Sequence, residues 1–146
     1  MSVTLTLAGA NDLDRLLALV TVAHPEITKP DALRKAVAPL VEGTPHGAAY
    51  LIGPPRAPVG YLILAFGYAV QRGGIEARVT DIFIRSGVRK RGMGSDAITA
   101  LAGALAPHGV RAIGIEFDID TPGAAALGRR AGMRGVDGSR VMTRKL

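Results

Sequence analysis

Apolar residues recur along the chain at two different spacings, and these spacings predict its strands and helices. Val3 to Leu7 alternates apolar residues with threonine, which is typical of a strand. The next two segments carry apolar stripes at helical spacing, one capped by Asn11 and ended by Pro25, the other beginning near Pro30. We expect Pro39 to kink or shorten the second helix.

Apolar segments in the middle of the chain predict antiparallel strands. Segments 48–52 and 59–68 flank the proline-rich turn 53–58, so a hairpin is the expected connection. A polar loop, residues 71–76, then leads to an apolar strand at 78–84. Together with the first strand, these segments predict an antiparallel run of four.

The last third of the chain alternates helices with strands. A helix that Pro107 stops is followed by a fifth strand, residues 111–117, which is reached through that helix and is therefore parallel to the fourth. A last helix runs from Thr121 to Gly132, and residues 133–145 supply one or two short strands. The sequence thus predicts a mixed α/β (α+β) fold, with a mostly antiparallel sheet of six to seven strands flanked by helices.

Composition narrows the class of protein. A length of 146 residues with 48% hydrophobic residues suits one domain covering 1–146. The chain has no cysteine and only three scattered histidines, so no disulfide, thiolate metal site or other metal centre is implied. Because the N-terminus lacks a basic and apolar leader and the longest apolar run is Tyr61 to Phe66, we expect a cytoplasmic protein without membrane contact.

The net charge of +6 is compatible with nucleic acid, a membrane surface or an anionic small molecule as partner. Aromatic residues make up 4% of the chain and tryptophan is absent, so base-stacking surfaces are scarce. This composition favours a phosphate-bearing small molecule over nucleic acid.

A basic glycine turn between a strand and a helix is the main candidate for such a ligand. Gly92 and Gly94 have no side chain to shield the backbone, so successive amides can turn towards a phosphate at the helix start. Neighbouring basic side chains add full charges. The expected diphosphate-binding residues are Arg89, Lys90, Arg91, Gly92, Met93, Gly94 and Ser95.

The order Arg89-x-x-Gly92-x-Gly94 after a strand resembles the pyrophosphate-binding signature Arg/Gln-x-x-Gly-x-Gly/Ala of the GNAT acyl-CoA N-acyltransferases. The resemblance covers residues 80–98 without a gap. It implies the GNAT fold, in which the sheet splays between strands four and five and acyl-CoA enters the gap. It also implies acetyl-CoA as cosubstrate, with its pantetheine arm along the backbone of Ile82, Phe83 and Ile84.

The same glycines fit two other interpretations. Gly92-x-Gly94-x-x-Ala97, with Glu116 lying 24 residues past Gly92, matches the dinucleotide fingerprint. Against this, seven residues separate Ile84 from Gly92, and the preceding strands look antiparallel. The turn could also be a plain strand-to-helix connection with solvated charges.

The resemblance implies an N-acetyltransferase that transfers the acetyl group of acetyl-CoA to a primary amine of a small molecule or peptide. The amine attacks the thioester directly in a ternary complex. Because such an amine has a pKa near ~10.4, a base must take a proton. Asp81 matches a position often occupied by a carboxylate in small-amine members. Glu76 and Glu116 are lesser candidates, and Asp81 could instead pair with Arg78.

The last helix departs from the family pattern. Gly128 stands where many members have a tyrosine that protonates the leaving thiolate. Three alternatives are open: the thiolate leaves unassisted, the enzyme is slow or unusual, or the acid is replaced by Tyr50, Tyr61 or Tyr68. This departure keeps open a non-catalytic acyl-CoA-binding or nucleic-acid-binding module. A homodimer is compatible with the apolar strands. The acceptor should contact loops 21–30 and 67–77, where Glu26 and Glu76 favour a cationic amine.

Overall fold

A computed structural model describes residues 3–89, 91–117, 123–135 and 142–146 of the chain. Its strands are β1 (Leu5–Leu7), β2 (Gly47–Ile52), β3 (Gly60–Ala69), β4 (Gly74–Ile84) and β5 (Ala112–Ile115). Its α-helices are α1 (Leu13–Ala23), α2 (Pro30–Glu42), α3 (Met93–Leu105) and α4 (Ala124–Arg130). The strands form one sheet in the order β1-β2-β3-β4-β5.

The sheet confirms the predicted mixed fold, with fewer strands than expected. The first three pairings are antiparallel, and β4 pairs with β5 in parallel through the α3 crossover. Over the described ranges the sheet has five strands rather than six to seven. The missing strands were expected within 133–145. Residues 136–141 of that segment lie outside the described part, and 133–135 and 142–146 are not in a strand.

Pro39 lies inside α2 without ending it, contrary to the expectation that it would shorten the helix. The helix continues to Glu42, and the N–H of Gly43 donates to the Pro39 carbonyl at 3.1 Å. Proline removes only the bond to the Lys35 carbonyl, and both residues lie on the exposed side, where water can replace it. Burial of Val37 and Val41 on the opposite side outweighs that loss.

The sheet separates two apolar clusters. Helices α1 and α2 cover one face, where Leu16 and Leu19 pack near Tyr61. Helix α3 covers the other face, where Ile98 and Leu101 form a cluster that includes strand residues such as Leu64. Alternate residues of β3 and β4 therefore point to different helices, and the register of these strands decides which side chain meets which face.

A β-bulge in β4 changes that register just before Asp81. Ile63 pairs with Asp81 and Leu64 with Val79, which leaves Thr80 as the extra residue. Val79 belongs to the α3 cluster. Without the bulge, Asp81 would share the face of Val79; with it, Asp81 shares the α1 face with Tyr61.

The sheet opens beyond the bulge. The paired residues of β4 and β5 end at Val79 and Ile115, and the N–H of Glu116 makes a last contact with the Val79 carbonyl at 3.3 Å. Strand β4 continues to Ile84, and no described strand pairs with this edge past Val79. This geometry is the splay expected between the fourth and fifth strands.

Two glycines of β3 give a matched test of how tightly β3 and β4 pack. A Cβ added at Gly60 would overlap the carbonyl oxygen of Phe83, whereas a Cβ at Gly67 would meet nothing within 4 Å. We expect Gly60→Ala to lower the free energy of unfolding by about 1–3 kcal/mol, the usual cost of overpacking. Gly67→Ala should be neutral or slightly stabilising. Urea denaturation measures both, and equal effects would contradict the packing.

Candidate functional site

A cavity of about 620 Å³ lies in the opening of the sheet. Its walls are the last six residues of β4, the start of α3, the end of β5 and part of α4. Apolar residues such as Ile115 and Leu127 line it together with charged residues from several elements, namely Asp81, Arg89, Glu116 and Arg130. The cavity therefore joins the basic glycine turn to the carboxylate of β4.

The first turn of α3 supplies free backbone donors at one end of the cavity. Gly92 precedes the helix with φ +77°, a conformation that favours glycine, and the N–H of Asp96 makes the first helical bond, to the Gly92 carbonyl at 3.0 Å. The amides of Met93, Gly94 and Ser95 form no hydrogen bond with other described residues. Unpaired amides at a helix start attract anions.

Gly94 has a packing role that the sequence motif did not indicate. A Cβ at Gly94 would overlap the Cδ1 atom of Leu127, so the missing side chain lets α4 approach α3. Ser95 is buried and does not line the cavity, and its hydroxyl donates to the Gly92 carbonyl at 3.0 Å. Of the expected phosphate-binding residues in α3, Met93 and Gly94 border the cavity directly.

The expected basic residues are placed differently from one another. Arg89 borders the cavity, where its Nε donates to the Ile84 carbonyl at 2.7 Å and its guanidinium lies 5.6 Å from the Phe83 ring centroid. Arg91 is exposed and outside the cavity lining, and Lys90 lies outside the described residues. Arg130 of α4 also borders the cavity.

Main-chain groups of β4 face the cavity along its open edge. The N–H of Arg85 donates to the Val59 carbonyl at 2.8 Å, so the main-chain groups of Arg85 point towards β3. Every second residue of the strand has the same direction, so the main-chain groups of Phe83 and Asp81 also point towards β3. Because hydrogen-bonding groups alternate between the two edges of a strand, those of Ile82 and Ile84 face the open side. The bond from Arg89 to the Ile84 carbonyl agrees with this direction.

Asp81 lies in a hydrogen-bonded cluster that spans two strands and a loop. Its Oδ2 atom accepts from the Tyr61 hydroxyl at 2.7 Å and lies 2.6 Å from His24 Nε2. His24 follows α1 directly, and its Nδ1 lies 3.3 Å from Glu26 Oε2. The alternative to a catalytic role, pairing of Asp81 with Arg78, is not observed, since Arg78 binds glutamates instead.

The cluster shifts the pKa values of two of its members. The hydrogen bond to Asp81 raises the pKa of His24 above its usual 6.5, with partial burial opposing it and the Asp81 and Glu26 charges adding to it. Burial, followed by the hydrogen bond to Asp81, raises the pKa of Tyr61 far above its usual value. Tyr61 therefore stays a neutral donor, while His24 favours the imidazolium form.

The two lesser carboxylates belong to an arginine network outside this cluster. Glu76 Oε1 accepts from Arg78 at 3.4 Å, and its Oε2 lies 3.7 Å from Arg72 Nε. Glu116 borders the cavity and accepts from Arg78 at 2.8 Å. Arginine holds both carboxylates, whereas Asp81 receives neutral or titratable donors.

The candidate replacements for the missing thiolate acid are dispersed. Gly128 is buried, and a Cβ there would lie 3.8 Å from the Met133 Cβ, away from the described cavity lining. Tyr61 is fully buried and bound to Asp81, and Tyr68 is 71% exposed on the β3–β4 hairpin. Tyr50 is partly buried, which raises its pKa. Among the described residues, none of the three tyrosines lines the cavity.

Comparison with solved structures shows which fold surrounds this site. An integron cassette protein from the Cole Harbour Salt Marsh mobile metagenome is 26% identical, covering 97% of this chain and 90% of its own, with a TM-score of 0.83. A possible acetyltransferase from Clostridium difficile 630 is 13% identical, covering 100% and 99%, with a TM-score of 0.82. An aminoglycoside N-acetyltransferase in complex with CoA is 14% identical, covering 99% and 94%, with a TM-score of 0.81.

The chain has the GNAT fold. No family model matches the sequence, and no curated protein matches it. The antiparallel run β1–β4 excludes the doubly wound parallel sheet that the dinucleotide interpretation requires. No described helix is long and apolar enough to cross a bilayer.

His24 is the site residue that sequence reasoning missed. It lies 57 residues before Asp81 in the chain, and the pair forms only because the bulge at Thr80 turns Asp81 towards the α1 face. A histidine just after a helix, followed by Pro25, carries no local signal for such a contact. Tyr61 was considered only as a replacement acid, and its bond to Asp81 was not anticipated.

The His24–Asp81 pair predicts a pH-dependent contribution to stability. A histidine whose pKa is raised by folding stabilises the protein below about pH 6.5, and this contribution disappears as the pH rises through the raised pKa. Asp81→Asn should therefore lower the free energy of unfolding more at about pH 6 than at about pH 8.5. Urea denaturation at both values measures the difference, with exposed His108 replaced by glutamine as control. A pH-independent loss would contradict the ion pair.

Proposed function

We propose that this protein is an acetyl-CoA-dependent N-acetyltransferase that acetylates a primary amine of a small molecule or peptide. The observation that supports it is one cavity that is lined both by the first turn of α3, whose amides form no hydrogen bond with other described residues, and by Asp81. A diphosphate carrier with a thioester arm matches this arrangement in charge. The comparison with a CoA-bound aminoglycoside N-acetyltransferase of the same fold agrees with it.

The cofactor would be held mainly by the backbone. Its diphosphate would accept hydrogen bonds from the amides of 93–95. Arg89 and Arg130 would add positive charge, and the bond from Arg89 to the Ile84 carbonyl uses only its Nε. Exposed Arg91 would contribute longer-range attraction, and Lys90 adds a further positive charge to the sequence at this point. The pantetheine amides would pair with the open edge of Ile82 to Ile84, replacing the strand that β5 does not supply there.

The reaction proposed is direct attack of the amine on the thioester. A substrate ammonium gives one proton to Asp81, and the freed nitrogen lone pair forms a bond to the thioester carbonyl carbon. The carbonyl oxygen gains charge, which a main-chain N–H on the β4 edge would stabilise. The carbon–sulfur bond then breaks, the thiolate takes the second amine proton, and Asp81 returns the first to water.

The thiolate can leave without a dedicated acid. A thiol has a pKa near ~8.5, so its anion is a reasonable leaving group near neutral pH. Holding amine and thioester together can itself supply about 7–11 kcal/mol of the barrier. Gly128 in place of the family tyrosine therefore permits turnover. It also supports the second candidate, an acyl-CoA-binding module without turnover, which would bind CoA but release none from acetyl-CoA.

The phosphate end is tested by charge reversal at Met93, which borders the cavity in the first turn of α3. Met93→Glu should weaken CoA binding at least tenfold, because the carboxylate repels the diphosphate. It should leave the fold intact, since an acidic residue in the first helical turn is favourable. Met93→Gln has nearly the same shape without the charge, and calorimetric titration compares the two. Equal CoA affinities of the two variants would show that the diphosphate does not bind beside Met93.

The base is tested by substitution of Asp81. Asp81→Asn should lower kcat by about 10²- to 10⁴-fold, the usual contribution of a general base, while CoA affinity stays close to that of the parent. Release of free CoA in the presence of an amine library measures turnover. Glu76→Gln is the comparison variant, and a larger loss there would transfer the role of base to Glu76.

A further inference from the structure

The hydrogen bonds of Asp81 are concentrated on one oxygen. His24 Nε2 and the Tyr61 hydroxyl both meet Oδ2, at 2.6 and 2.7 Å. The other oxygen, Oδ1, forms no hydrogen bond with the described residues, although Asp81 borders the cavity. Two donors on Oδ2 fix the plane of the carboxylate and leave Oδ1 for a substrate.

We propose that His24 is a positioning residue that orients Asp81 and, through its own ionisation, sets the pH above which Asp81 accepts the amine proton. This inference rests on the proposed acetyltransferase function. It concerns a residue of the loop between α1 and α2, outside the glycine-turn motif and outside β4.

The ionisable groups around His24 come from three elements. Asp81 of β4 meets Nε2, and Glu26 of the same loop as His24 lies 3.3 Å from Nδ1. Tyr61 of β3 acts through its bond to Asp81. The side chain of His24 is 34% exposed, whereas Tyr61 is fully buried. Of the two donors to Asp81, His24 rather than Tyr61 can therefore exchange a proton with water.

The two ionisation states of His24 have opposite effects on Asp81. In the neutral form that donates from Nε2, the carboxylate keeps its negative charge uncompensated and can take a proton at Oδ1 from the ammonium group. In the imidazolium form, a full positive charge at 2.6 Å stabilises the carboxylate and weakens it as a base. Nothing but the proton moves in this step, from the amine nitrogen to Oδ1.

Tyr61 supplies a constant contribution to the same oxygen. Burial keeps its hydroxyl protonated throughout the accessible pH range, because its pKa is raised far above the usual value. Its bond therefore orients Asp81 at every pH without changing charge. Both donors therefore orient the Asp81 carboxylate, but only His24 makes its basicity depend on pH.

The test is the pH dependence of kcat for CoA release, measured with two amines whose own pKa values differ by about two units. The parent should lose about tenfold per pH unit below the His24 transition, at the same pH for both amines. His24→Gln keeps a donor to Oδ2 but does not titrate, so that limb should vanish. Glu26→Gln should move the limb to lower pH, because Glu26 helps to hold the imidazolium.

His108→Gln, an exposed histidine after α3, is the matched control and should leave the profile unchanged. If CoA is released and both His24→Gln and Glu26→Gln keep the parental limb, the inference is overturned while the acetyltransferase function stands. If the parent releases no CoA with any amine at any pH, the proposed function fails and the inference with it. Should His24→Gln fail to fold, the Glu26→Gln shift decides alone.

Discussion

The edge of β4 beyond Val79, with which no described strand pairs, is the constraint on which the rest of the site depends. Strand edges present amides and carbonyls that must find partners, and proteins usually cover or shorten them. Here β5 stops at Ile115 while β4 continues, so backbone groups of Ile82 and Ile84 border a cavity instead of a neighbour. The side chains of Ile82 and Ile84 still pack against the α3 cluster, so this part of β4 is held on one face while it borders the cavity.

The bulge at Thr80 gives that edge its chemistry. One extra residue moves Asp81 to the face covered by α1, where a buried tyrosine and a half-exposed histidine meet the same carboxylate oxygen. Charge in the site is thereby divided by position: the α3 end carries Arg89 and amides that form no hydrogen bond with other described residues, and the Asp81 carboxylate lies at the bulge. A carrier that is anionic at one end and reactive at the other would be oriented by this division.

The sequence predicted the parts of this structure that rest on local rules. Apolar spacing and turn residues predicted the helices and the central strands, and Gly92 was correctly placed at a helix start, where φ is positive. Two kinds of feature were out of reach. The bulge depends on the register between β3 and β4, which cannot be read from the sequence of either strand alone. The contact between His24 and Asp81 depends on the bulge and was therefore not predictable either. The expected shortening of α2 at Pro39 was wrong because a helix with a buried face tolerates one lost bond on its exposed side.

The contact between Gly94 and Leu127 changes how the second glycine of the motif is understood. A side chain at this position would meet the Cδ1 end of Leu127, so either Leu127 would have to change rotamer or α4 would have to shift, whether or not a ligand is bound. Variation at Gly94 among natural or designed sequences would therefore report on the seating of the last helix. A related protein that no longer binds a diphosphate carrier would still have a reason to keep this glycine, because Leu127 of α4 packs against it.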